Sequence, residues 1–134
     1  MSEENVELTR QYVQTFNKRG LDGVEDLWHP KIEVFDPPTF PDAGRYEGRE
    51  AVRKLVEGYL SLGWDGCFRD PEYIDAGEEV LVLWSARWAE SAHGGGVELD
   101  QAFSHLYLFH AGTVRRIRQF VGRNEGIEAA GLWE

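Results

Sequence analysis

A single cysteine, Cys67, occurs in the 134 residues, so no disulfide can form within the chain and no thiolate cluster can hold a metal. Long apolar runs are missing as well. The longest, residues 80–84, has the length of a strand and is far too short to cross a bilayer. Basic residues are scarce, 14 Lys and Arg against 24 Asp and Glu, and a net charge of −10 speaks against partners such as nucleic acid or an anionic membrane. The first residues show neither the basic start nor the apolar stretch of a secretory signal, which reads as a cytoplasmic protein. Signatures of nucleophilic or phosphate chemistry are lacking. There is no Gly-x-Ser-x-Gly, the run Gly94, Gly95, Gly96 carries no lysine, and no two histidines show the spacing of a metal site. Neither a metal nor a cofactor is expected.

What the chain has in quantity is aromatic residues: five Trp, five Tyr and seven Phe. With 42% hydrophobic and 28% charged residues it reads as one soluble globular domain over residues 1–134, without repeat or linker. Val6, Val13 and Phe16 recur at helical spacing after Ser2, a residue suited to an N-cap, and Lys18, Arg19 and Gly20 form a stop. Asp22 and Glu25 resemble a capping box opening a short second helix, with Leu21, Val24, Leu27 and Trp28 as its buried side and His29 and Pro30 as its end. Residues 32–35 read as a strand halted by Pro37 and Pro38, and residues 39–48 as a loop. Val52, Leu55, Val56, Tyr59 and Leu60 predict a third helix over 49–62.

Beyond Gly63 the period changes to two, with strands expected near 67–75, 79–91, 98–109 and 113–121 and a last short helix over 125–130. Helices first and then antiparallel strands give an α+β architecture, three N-terminal helices packed on a curved, mostly antiparallel sheet. Residues 80–84 are apolar on both faces of their strand, which suggests a partner for the outer sheet face, most simply in a homodimer. The arginines at 115, 116, 118 and 123 form a basic strip on that side.

This order of elements resembles the nuclear transport factor 2-like fold. Tyr12 with Val13, Phe16 with Asn17, and Val34, Phe35, Asp36 and Pro37 are similar to the N-terminal pattern of ketosteroid isomerases. Tyr46, Gly48, Glu50, Ala51 and Val52 resemble the approach to the third helix in SnoaL-like proteins. Residues 103–109, followed by Gly112, Thr113, Val114 and Ile117, resemble their closing hairpin. The resemblance covers nearly the whole chain. It implies a conical pocket between helices and sheet, usually in a dimer, and a small apolar or aromatic ligand.

Asp36 is the sharpest candidate for chemistry. It ends a strand before two prolines that fix the chain, and a carboxylate enclosed by aromatics can act as a general base. The resemblance places it where the isomerases carry the base that moves a proton next to a ketone, and places Tyr12 where they carry an oxyanion-binding tyrosine. Val56 stands where that pattern has a supporting tyrosine, and His105 where it has a second acid. In the related cyclases a strand histidine is followed fourteen residues later by an acid; here that position is Gln119, which only donates and accepts hydrogen bonds. His105 lies between Phe103 and Tyr107 on one strand face and remains a possible acid or base. Trp28, Leu55, Tyr59, Trp84, Trp88, Phe103, Tyr107, Ile117, Gln119 and Val121 are the expected pocket residues.

Three functions stay open at this point. One is an isomerase or cyclase that moves a proton next to a carbonyl through Asp36, Tyr12 and His105. Another is a non-catalytic carrier or sensor of a hydrophobic ligand, and the third a dimeric interaction module. A fold alone does not choose among them.

Overall fold

The computed structural model describes residues 2–40, 43–89 and 98–132. In chain order they form α1 (Ser2–Arg19), α2 (Leu21–Val24), one 3-10 turn (Glu25–Leu27), β1 (Trp28–Phe35), β2 (Arg45–Glu47), α3 (Arg49–Ser61), β3 (Arg69–Ala76), β4 (Glu79–Ala89), β5 (Glu98–His110), β6 (Thr113–Val121) and α4 (Asn124–Ala129). The six strands make one sheet in the order β2-β1-β6-β5-β4-β3. Every described neighbour pair is antiparallel except β1 and β6, which run parallel. Among the described residues no helix is long and apolar enough to cross a membrane.

The expected elements are present, with three corrections. Trp28 does not finish the second helix. The chain passes through the 3-10 turn and Trp28 begins β1, where its buried indole N–H donates to the Tyr12 hydroxyl. Pro30 falls inside this strand, where the β1–β6 register breaks between Trp28 and Glu33, so its missing N–H interrupts no ladder bond. The second correction concerns Asp22 and Glu25. No side chain caps α2; both carboxylates bind the Arg53 guanidinium of α3 instead, at 3.0 and 2.8 Å. Third, the loop 39–48 contains β2, whose three residues pair with the end of β1 and set Tyr46 opposite Val34. The glycine run at 94–96 and His93 lie outside the described residues, as does the end of the strand expected to reach 91.

The inner face of the sheet carries Val80, Val82, Trp84 and Ala86 of β4 and Phe103 and Tyr107 of β5, all buried against α1 and α3 in the main core. Gly63, at φ +115, turns the chain back toward β4 after α3; Ala89 donates to its carbonyl at 2.8 Å. The same turn brings Trp64 into an isolated bridge with Trp88. Asn17, near the end of α1, clamps the next stretch, donating to the Phe68 carbonyl at 3.0 Å and accepting from the Phe68 amide at 2.7 Å. Phe68 is thereby held over the inner face.

The outer face explains the second apolar set of residues 80–84 differently from the expectation. Leu81, Leu83 and Leu106 are fully buried in a separate cluster, covered by Phe120 and by Ile127 and Ala130 of the C-terminal segment. The cover comes from this chain itself, so that face gives no argument for a partner sheet. Arg116 and Arg118 are likewise paired within the chain, both to Glu79, and Arg115 and Arg123 meet Glu33 and Glu72.

Docking of α4 requires Gly126. A Cβ built there would fall on the side chain of Ser104. Gly126→Ala therefore has two opposing effects. Helix propensity favours alanine by about 1 kcal/mol, while overpacking costs about 1–3 kcal/mol. The expected outcome is a lower urea midpoint for the variant. A higher midpoint would mean that α4 does not press on the sheet at this point.

Candidate functional site

A cavity of about 60 Å3 lies between α1, α3 and the inner sheet face. That is room for a few waters and well short of the roughly 300–1,000 Å3 of a typical small-molecule pocket. An open groove of about 740 Å3 adjoins it along α3, lined by Asp36, Phe40, Tyr46, Lys54, Leu55 and Tyr59 among others. Phe40, Leu55 and Tyr59 line both spaces and stand at the boundary between them.

Of the residues named from the sequence, Tyr12, Trp28, Leu55, Tyr59, Trp84, Trp88, Phe103, His105, Tyr107, Ile117 and Gln119 all line the cavity. Two do not. Val121 packs against the core at the end of β6, where the strand gives way to Gly122. Asp36 opens instead into the groove.

Asp36 is 8% exposed, and its carboxylate accepts hydrogen bonds from two hydroxyls. Tyr59 donates to Oδ1, and Tyr46 donates to Oδ2 at 3.1 Å. Behind Tyr59 stands Gln119, whose Nε2 donates at 3.1 Å both to the Tyr59 hydroxyl and to the Phe35 carbonyl. The parallel pairing explains this meeting. Phe35 sits opposite Arg118, so the next residue of each strand, Asp36 and Gln119, fall side by side. Tyr59 is thus a bridge. It reaches the cavity on one side and holds the groove-facing carboxylate on the other. Burial and the Asp36 carboxylate both raise its pKa, so the phenol keeps its proton.

At the other side of the cavity Tyr12 and His105 lie within reach of the Tyr107 ring, 5.5 and 5.9 Å between centres. The Tyr12 oxygen accepts from Trp28 Nε1 at 2.8 Å, which orients the hydroxyl and leaves its own proton to donate. Burial raises the pKa of Tyr12 and keeps it neutral. His105 is walled by rings, with Trp84 edge-on at 5.0 Å and Phe68 at 5.9 Å, and only a long 3.5 Å contact joins its Nδ1 to the Tyr107 hydroxyl. Burial pushes its pKa down to about 3, so the imidazole is neutral at physiological pH. His105 on β5 is two strands away from the end of β1, roughly 10 Å at about 4.8 Å per step. Asp36 and His105 can therefore engage different parts of one molecule but not each other.

Several lining residues are not among the pocket residues expected from the sequence, Phe16, Phe40, Tyr46, Trp64 and Phe68 among them. In the sequence Tyr46 reads only as part of the approach to α3. Its signal lay in the short strand β2, too brief for a periodicity to show. Trp64 and Phe68 sit on irregular backbone between α3 and β3, where spacing carries no information; their aromatic character was the available hint. Among the described residues no three His, Cys, Asp or Glu side chains gather into a group that could hold a metal ion.

Comparison with known proteins places this geometry. The SnoaL-like domain family matches residues 9–117. Among solved structures, a nuclear transport factor 2-like protein of unknown function from Burkholderia pseudomallei is similar at 21% identity, with 92% of this chain and 95% of that chain covered and a TM-score of 0.71. A candidate polyketide cyclase from Xanthomonas campestris is similar at 14% identity, covering 96% and 98%, with a TM-score of 0.74. A candidate isomerase from Bacillus subtilis follows at 17% identity, covering 98% and 95%, with a TM-score of 0.71. At such identities these likenesses show the shared fold. No curated protein matches the sequence.

The buried histidine has a measurable consequence. Below pH 6.5 the unfolded chain takes up a proton at His105 that the folded chain refuses until about pH 3. Stability contributed by the neutral imidazole is thus present above pH 6.5 and falls as the pH drops through this window, by at most about 1.4 kcal/mol per pH unit. His105→Phe keeps a ring and removes the titration. Its urea midpoint should fall less steeply than that of the native chain between pH 6.5 and 3. Parallel curves for the two proteins would contradict the buried, neutral assignment.

Proposed function

Because the chain belongs to the SnoaL-like domain family, we propose that it is a small-molecule enzyme of the isomerase or cyclase kind, moving a proton next to a carbonyl with Asp36 as base. The observation that carries this reading is the hydrogen-bonded set at the boundary between cavity and groove. A buried carboxylate accepts on both oxygens from the hydroxyls of Tyr59 and Tyr46, and the first of these is itself fixed by Gln119.

In this reading the apolar part of the substrate enters the ring-lined cavity and its acidic carbon stops at the mouth, against Asp36. Removal of the α proton leaves negative charge on the carbonyl oxygen. Tyr12 can donate to that oxygen without ionising, because its hydroxyl is oriented by Trp28. His105, two strands from the end of β1, lies too far from Asp36 to share this oxygen and faces another part of the substrate. The proton on Asp36 is then returned to another carbon for an isomerisation. In a cyclase the enolate carbon attacks a second carbonyl of the same substrate, and the proton goes to the alkoxide so formed. Tyr46 and Tyr59 hold the carboxylate in one orientation throughout.

The cavity volume supports a second reading, a carrier that encloses an apolar ligand without turnover. At about 60 Å3 the site must open for any ring-sized guest.

Deuterium uptake at the α carbon of 1-tetralone in D2O separates the two. The native chain is expected to exchange the α protons faster than buffer alone. Asp36→Asn should fall at least about 100-fold, and Tyr59→Phe to an intermediate rate. Unchanged exchange in Asp36→Asn overturns the base assignment. Bound ketone that exchanges no faster than in buffer favours the carrier.

A further inference from the structure

Seven buried side-chain nitrogens lack a hydrogen-bond partner among the described residues: Nε1 of Trp64, Trp84 and Trp88, Nε2 of His105, and Nε of Arg69, Arg116 and Arg118. The three arginines satisfy other guanidinium nitrogens through Asp65 and Glu79. The remaining four nitrogens all belong to residues that line one cavity. They are also neighbours. The Trp84 ring centre lies 5.7 Å from that of Trp64 and 5.0 Å from that of His105, and Trp64 is bridged through its backbone to Trp88.

Buried polar groups are nearly always paired, and an orphan asks for an explanation. Trp28 shows that this chain can supply a partner to an indole, since its Nε1 finds the Tyr12 hydroxyl. Four orphans on one wall have no such provision. An indole N–H can only donate, and a neutral imidazole can donate through one nitrogen. The complement to this wall is an acceptor oxygen. The surroundings are otherwise hydrocarbon and aromatic rings, which favour a flat apolar body around that oxygen. The wall stands on β4 and β5 and on the segment after α3, while Asp36 leaves β1, three strands from β4 and roughly 14 Å across the sheet.

We propose that Trp64, Trp84, Trp88 and His105 form a recognition wall for a flat, apolar molecule that carries a carbonyl-type oxygen at the end remote from Asp36. This names the ligand class of the site, and it rests on the proposed function only in assigning cavity and groove to one molecule. The incoming oxygen gives these nitrogens the hydrogen-bond partner that the described residues do not supply.

The test compares 2-acetylnaphthalene with 2-isopropenylnaphthalene, two molecules of nearly one shape that differ in a C=O against a C=CH2. Dissociation constants are measured by titration of the full chain, together with the indole N–H signals in 1H–15N spectra. The ketone is expected to bind at least about tenfold more tightly and to shift indole N–H signals that the alkene leaves in place. Trp84→Phe and His105→Phe should each reduce the preference while keeping affinity for the alkene, which shows that the variants are folded and open. Equal affinities, or binding of neither compound, would overturn the proposal. Asp36→Asn is titrated alongside, and the preference should persist in it. A preference without α-proton exchange in the native chain defeats the catalytic reading and leaves the wall standing. Exchange without a preference does the reverse.

Discussion

β1 and β6 lie side by side and run in one direction, and a parallel neighbour cannot be reached through a tight turn. All of the chain between Phe35 and Thr113 has to serve as the connection, so α3 and the three strands β3, β4 and β5 are laid down before β6 comes back to β1. The inner face they leave is closed by α1 and α3. The place where the parallel pair ends is also the place where Asp36, Gln119 and Tyr59 meet. Gln119 can donate to the Phe35 carbonyl because the two strands are in this register. A slip of one residue would send Gln119 to the outer face and leave Tyr59 and Asp36 without that support.

The site is built from two kinds of environment in contact. On the β1 side, hydroxyls, an amide and a carboxylate form a connected set in which each member has a partner. On the β4 side, nitrogens lie among rings with no partner among the described residues. The two sets adjoin where Gln119 of β6 sits opposite His105 of β5. Low dielectric strengthens paired polar groups and penalises unpaired ones, so the same enclosure has opposite effects at the two ends. One end is satisfied by the chain's own groups, and the other holds the nitrogens left over among the described residues.

Much of this was legible in the sequence, for physical reasons. The period of two on β4, β5 and β6 assigned Trp84, Phe103, His105, Tyr107, Ile117 and Gln119 to one face, and the structure puts them there, because a pleated strand must alternate. The proline pair marked the end of β1 and so Asp36. What could not be read was any contact between elements far apart in the chain. Tyr59 and Gln119 were named as wall residues, yet their link to Asp36 depends on the β1–β6 register, which no local pattern carries. Trp28 continues the helical spacing of Leu21 and Val24. It was drawn into a strand by a hydrogen bond to α1 that the spacing does not encode. The apolar second face of residues 80–84 suggested a second molecule because helices were expected on one face only; Ile127 and Ala130 cover it, with Gly126 letting α4 press against Ser104.

That short C-terminal helix has a wider consequence. A sheet with two apolar faces and helices on one of them carries an unmet demand, and there are two ways to meet it: a second copy or a piece of the same chain. Here Ile127 and Ala130 supply the piece over Leu81, Leu83 and Leu106. α4 and Ala130 thus act as a resident substitute for a neighbour. Self-association through this patch would first require α4 to lift from the sheet.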